Sequence, residues 1–170
     1  MKSIVYIFLL TGLSLVQAQN NTEIPEKDIN KNIEAWHKAA ADADFDTYFG
    51  LMTEDSYFLG TDATENWQYE DFKAFSKPYF DKGKAWSFST LERNIFVGPD
   101  TKIAWFDEHL KTQMGICRGS GVIVITDEGW KIKHYVLSIA VPNENVSALT
   151  AMKKDWDSLQ MKKMLTKIKK

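Results

Sequence analysis

The chain has 170 residues, a formal net charge of −2, 44% hydrophobic residues and 13% aromatic residues. Its charge is unevenly placed: Gln19 to Met152 carries 13 Lys and Arg against 21 Asp and Glu, a net of −8, whereas Lys153 to Lys170 carries seven Lys and two Asp, a net of +5. An acidic body excludes a phosphate-neutralising nucleic-acid surface, and the single Cys117 excludes an internal disulfide framework and reads as a small core residue.

Lys2 precedes an apolar run from Ile4 to Leu10 that continues weakly through Leu13, Leu15 and Val16 and ends in Val16-Gln17-Ala18. This is the pattern of a cleaved signal peptide over residues 1–18, and it predicts a periplasmic or secreted protein. Thr11, Gly12 and Ser14 interrupt the run too often for a bilayer span, and no later stretch is long and apolar enough to be one. The remaining length corresponds to one domain. Residues 19–27 are polar, contain Pro25 and read as a linker.

From Asp28, a candidate N-cap, Ile29, Ile33, Trp36 and Ala40 recur at helical spacing. Asp42-Ala43-Asp44 breaks that helix, and a short second one carries Phe45, Tyr48, Phe49 and Met52 on one side. Ser56 to Leu59 is strand-like, Gly60 to Thr64 is turn-forming, and Glu70 to Phe80 reads as a helix that Pro78 should end or kink. Four runs of strand chemistry follow: Ala85 to Val97, Lys102 to Thr112, Ile116 to Thr126 and Trp130 to Val141, separated by turn signals. Helices first and a meander of long strands afterwards predict an α+β domain over residues 28–143, with helices on one face of an antiparallel sheet. Residues 144–170 form an amphipathic C-terminal helix with Leu149, Met152, Trp156 and Leu159 on its stripe.

Several stretches resemble the SnoaL-like (nuclear-transport-factor-2-like) domain family, in particular its exported bacterial members. They are Phe45-Asp46-Thr47-Tyr48-Phe49, Phe58-Leu59-Gly60-Thr61-Asp62-Ala63-Thr64-Glu65-Asn66-Trp67, Lys77-Pro78-Tyr79-Phe80, Ala104-Trp105-Phe106-Asp107-Glu108, Arg118-Gly119-Ser120-Gly121-Val122 and Trp130-Lys131-Ile132-Lys133-His134-Tyr135. The resemblance covers about residues 29–143. It implies a cone-shaped roll in which N-terminal helices close over a strongly bent antiparallel sheet, with a cavity between them. It also implies a site that serves cofactor-free isomerases, cyclases and dehydratases in some relatives, and binding or oligomerisation in others. The fold leaves the reaction open.

Candidate site residues follow from strand alternation. Asp107 and His109 share a face with Ile103 and Trp105, opposite Glu108, and His134 shares one with Trp130 and Ile132. Placed inside the pocket, Asp107 and His134 form a carboxylate–imidazole pair suited to moving a proton; the alternative is a pair of hydrogen-bonded structural groups. Arg118 could hold a ligand's carboxylate in a fork, or pair with Asp107 or Glu108, and the glycines around Ser120 permit a close approach or a bulge. Asp62, Glu65 and Trp67 belong to the densest polar–aromatic loop, at a site mouth or capping the next helix. Trp36, Tyr57, Trp105 and His109 complete the candidate ligand-binding set. The three histidines, His37, His109 and His134, lack metal-ligand spacing, so no metal or cofactor is expected, and His37 reads as a surface or edge residue.

The leading expectation is a pocket for a small apolar or carboxylate-bearing molecule. The alternatives are an acid–base enzyme and a non-catalytic interaction domain. An outer sheet face carrying Phe106, Leu110, Ile123, Ile125, Tyr135, Leu137 and Ile139 would be too apolar to stay wet, which predicts a homodimer with the tail helix at its margin.

Overall fold

A computed structural model describes residues 23–168, with side chains from Pro25 onward. The expected signal peptide therefore lies outside the described residues. The elements run α1 (Glu23–Ala41), α2 (Phe45–Gly50), β1 (Met52–Leu59), β2 (Asn66–Gln68), α3 (Tyr69–Asp81), β3 (Ser89–Val97), β4 (Ile103–Thr112), β5 (Gly115–Thr126), β6 (Gly129–Ile139), a 3₁₀ turn (Asn143–Asn145) and α4 (Val146–Ile168). One six-stranded sheet has the order β2-β1-β6-β5-β4-β3. The architecture is the expected α+β roll with an added C-terminal helix. The sheet is mixed rather than purely antiparallel, because β1 lies parallel to β6.

Helix α1 begins at Glu23, so it takes in most of the residues read as a linker and passes through Asp28 without a break. Pro25 falls in its first turn, where a helix has no use for the missing N–H. The spacing of Ile29, Ile33, Trp36 and Ala40 puts all four in the core. Asp44 caps α2, its carboxylate accepting the Thr47 amide at 3.1 Å. In α3, Gln68 occupies the N-cap without a side-chain bond, so the polar–aromatic loop before it does not cap the helix, which runs through Pro78 to Asp81. With so few residues left beyond the proline, the disruption is confined to the last turn. Residues 85–88, read as strand, form a connection instead, and β3 begins at Ser89.

The cone is packed with its own rings. Phe58 stacks on Phe72 at 4.1 Å between centroids, Trp36 stacks on Tyr48 at 5.0 Å, and Tyr135 meets the edge of Trp36 at 4.9 Å. Trp86 covers the group from the 85–88 connection, 5.5 Å from both Tyr48 and Phe80. The deep cavity implied by the family resemblance is therefore filled, and Trp36, a candidate ligand contact, is a core residue that is 1% exposed.

Strands β4 and β5 turn the opposite face to the helices from the one expected, and β6 does so beyond Ile132. Ala104, Phe106, Glu108 and Leu110 of β4 point inward, as do Cys117 and Ile123 of β5 and Ile132, Tyr135 and Leu137 of β6. Of the residues proposed for the outer face, Phe106, Leu110, Ile123, Tyr135 and Leu137 are buried under the helices, and only Ile125 and Ile139 are exposed. In β6 the buried positions step from 132 to 135, because Val122 and Ile123 pair with His134 and Ile132 and leave Lys133 unmatched. This bulge reverses the alternation, so His134 does not share the face of Ile132.

Gly121 lies on the inner face directly opposite Phe106. A Cβ there would come within 2.5 Å of the Phe106 ring, so glycine is what lets that ring lie flat against β5. Gly121→Ala is expected to lower stability by about 1–3 kcal/mol through overpacking. Urea unfolding checks this, and an unchanged midpoint would mean that β5 does not face Phe106 in this register.

Candidate functional site

Three groups of polar side chains have distinct places in the fold: a sealed network under α1, a band across the outer sheet face, and the loop at the cone's mouth.

The sealed network centres on Glu108. The register aligns Arg93, Glu108 and Gly119 across β3, β4 and β5. Arg93 donates to Glu108 Oε2 from Nε at 3.0 Å and from Nη2 at 2.6 Å, a two-pronged grip. Glu108 Oε1 accepts from the Tyr135 hydroxyl at 2.8 Å and lies 2.8 Å from His37 Nε2. Arg93 also reaches α1 through Asn30 and Glu34, at 2.8 and 2.6 Å. Burial alone would raise the Glu108 pKa, but His37, Arg93 and Tyr135 together outweigh it and hold the carboxyl below its ordinary 4.5. Tyr135, buried beside that carboxylate, is pushed well above 10. A side chain on Gly119 would collide with the Tyr135 hydroxyl and Glu108, so glycine makes room for the network.

His37 is thus buried at 4% exposure, not a surface residue, and Glu108, Arg93 and Tyr135 join it in a cluster that strand alternation alone did not single out. The signal available in the sequence was the Gly119–Gly121 pair, two absent side chains on one face of a long strand. Sealed from solvent, the network can anchor but cannot meet a substrate.

Seven of the expected site residues do come together, on the outside. One row runs Phe96, Trp105, Val122, His134 and Tyr57 across β3, β4, β5, β6 and β1. A second aligns Asn94, Asp107 and Ser120, and a third Glu92, His109 and Arg118. Asp107 accepts from Asn94 Nδ2 at 3.0 Å, His109 lies 3.2 Å from Glu92, and Arg118 approaches His109 at 3.3 Å. Asp107 and His134 are therefore not pocket residues, and Arg118 pairs with neither Asp107 nor Glu108 among the described residues. The sequence reading places the pocket on the face of β4 that carries Asp107, whereas the helices cover the apolar face with one paired carboxylate, Glu108, in it.

At the mouth, Phe58, Trp67, Phe72, Phe75, Trp86 and Phe88 surround a recess of about 140 Å³, together with Met114 and Leu137. Glu65, Thr61, Gly60 and Gln113 form its polar rim. Glu65 and Trp67 are thus part of a recess. Asp62 lies beside it, its carboxylate accepting the Thr64 amide and hydroxyl at 2.8 and 2.6 Å. An open groove of about 330 Å³ outside the cone is lined by Glu54, Asp55, Glu70 and Asp71, but Asp55 is already paired with Lys133. No cluster of three metal-binding side chains occurs among the described residues.

Glu108 makes stability depend on pH. Its folded pKa lies below the unfolded value, so its contribution is complete above about pH 5 and is lost as pH falls through 4.5 toward the folded value. Glu108→Gln should cost about 2–3 kcal/mol at pH 7, because Arg93 loses its buried counter-charge and keeps only the half-exposed Glu34. It should also lose less stability than wild type between pH 7 and pH 3.5. Urea unfolding at the two pH values measures both, and parallel losses would remove Glu108 as the cause.

Comparison with known proteins agrees with this architecture. The SnoaL-like domain family matches residues 29–142. No curated protein matches the sequence. Among solved structures, an NTF2-like protein of unknown function from Pseudomonas putida KT2440 superposes with a TM-score of 0.60 at 13% identity, over 73% of this chain and 92% of its own. A proposed dehydratase of the NTF2-like family from Streptomyces avermitilis gives 0.60 at 14% identity, over 71% and 99%. The association domain of C. elegans CaMKII gives 0.57 at 18% identity, over 69% and 97%. At these identities the likeness is one of fold. With most of its length matched and the roll in place, the chain belongs to the SnoaL-like domain family.

Proposed function

We propose that this protein is an exported small-molecule-binding member of its family, and that the recess at the cone's mouth is its binding site. The observation that carries this reading is the recess itself: aromatic walls, a narrow polar rim and a volume of about 140 Å³. Apolar cavities of roughly 150 Å³ take up a benzene-sized guest, so the fit is to one ring or one compact apolar group. A steroid-sized ligand is too large for it. The anionic rim and the outward position of Arg118 also turn the reading away from a carboxylate-bearing ligand.

The acid–base pair expected from the sequence does not line this recess. Asp107 and His134 are on the far face of the sheet, and Glu108 is neutralised and sealed. Benzyl alcohol should raise the melting temperature of the chain lacking residues 1–18, and Trp67→Ala should weaken its binding about tenfold by removing a ring contact of about 1.4 kcal/mol. A compact-ring panel that produces no shift would overturn the reading.

A second reading, homodimerisation, has its own observation. Trp105 and Phe96 stack in the open at 6.0 Å on the outer face, with Ile103, Ile125 and Ile139 also exposed. Helix α4, 23 residues long with no buried residue, packs substantially only on the 3₁₀ turn at its foot. An outer face and a helix that both lack a partner among the described residues support a second copy as the cover. Sedimentation of the chain with and without residues 146–170 is expected to show a dimer that weakens at least tenfold on truncation. A full-length monomer at micromolar concentration would exclude it.

A further inference from the structure

The mouth recess carries one charge, and it is negative. Among the described residues its lining includes Glu65 and contains no lysine, arginine or histidine. Glu65 Oε2 accepts the Asp62 amide at 3.2 Å, a bond that holds the carboxylate in place without neutralising it, and among the described residues no ion pair includes it. Asp62 adds a second carboxylate beside the rim, and its bonds to Thr64 hold it below the ordinary carboxylate value, which keeps it charged.

The walls have the same preference. Trp67 stacks on Phe75 at 4.8 Å, Phe72 on Trp86 at 5.8 Å and Phe58 on Phe72 at 4.1 Å, so the rings form a connected lining. Aromatic faces are electron-rich, and indole is the strongest attractor of a cation placed over it. An anion entering this recess would meet a carboxylate and ring faces, both repulsive. A primary ammonium would have to give up strong hydration for which the apolar walls offer no hydrogen bonds. A methylated ammonium spreads its charge over methyl groups, is weakly hydrated, and has about the bulk of the single ring that the recess accommodates.

Resting on the mouth recess as the binding site, we propose that its ligand is a small methylated or quaternary ammonium compound, with its cation among Trp67, Trp86 and Phe75 and facing Glu65. A hydroxyl on a short arm would reach Thr61 or Gln113 at the rim.

Choline and its uncharged isostere 3,3-dimethyl-1-butanol separate the cation from its shape. In calorimetry on the chain lacking residues 1–18, choline should bind at least tenfold more tightly than the isostere. Glu65→Gln keeps the bond to Asp62 and should reduce choline affinity about tenfold while leaving the isostere unchanged; Trp67→Phe should reduce choline affinity more modestly. Equal binding of the two compounds would overturn the ammonium class and leave the recess as a neutral site. Choline binding unaffected by Glu65→Gln would overturn the placement. If neither compound nor benzyl alcohol binds, the binding-site reading itself fails.

Discussion

One buried carboxylate organises the domain. Glu108 faces inward from the middle of β4, and an isolated charge there would be too costly to keep. It is retained because four elements converge on it: β3 through Arg93, β6 through Tyr135, α1 through His37, and β5 through the vacant position at Gly119. Each partner fixes a relation that apolar packing alone would leave looser. Arg93 ties β3 to α1 through Glu34 as well as to β4, and Tyr135 sets which face of β6 is inside. Such a network satisfies every member or none, so it selects one arrangement of helix over sheet.

Much of this architecture was legible in the sequence. Ile29, Ile33 and Trp36 announce a helix with a buried side, and the turn signals after Val97, Thr112 and Thr126 separate β3 to β6 as observed. The face of the sheet was not legible, because Asp107 and Glu108 are adjacent acids and alternation says only that they part company. What decides between them is the position of Arg93, on the neighbouring strand, and of His37, which lies far from β4 in the chain and near it in space. The bulge at Lys133 was equally hidden, since a single unmatched residue has no compositional mark and still exchanges the roles of His134 and Tyr135. The mouth loop was legible in part: Glu65 and Trp67 stand out for their chemistry, whereas Trp86 and Phe88 joined the recess only because a segment read as strand runs as a connection.

The filling of the cone and the small size of the recess have one cause. Trp36, Tyr48, Phe58, Phe72 and Trp86 are large enough to meet across the interior, so the helices rest on rings rather than on an empty chamber. The recess lies where the rings reach the surface, beside the loop from Gly60 to Trp67. The same rings that stabilise the domain therefore supply the walls of its recess.

The parallel pairing of β1 with β6 governs how the chain must assemble. The ion pair between Asp55 and Lys133 joins positions 78 residues apart, and between them lie β2, α3, β3, β4 and β5. Until the last strand arrives, β1 has only the three-residue β2 beside it, and the rings of α1 to α3 have an incomplete floor. Closing so long a loop costs chain entropy before the contacts that reward it exist. Strands β3 to β6 pair with their neighbours in the chain, so β1 against β6 is the distant step of sheet formation, and it makes the N-terminal third dependent on synthesis of the final strand.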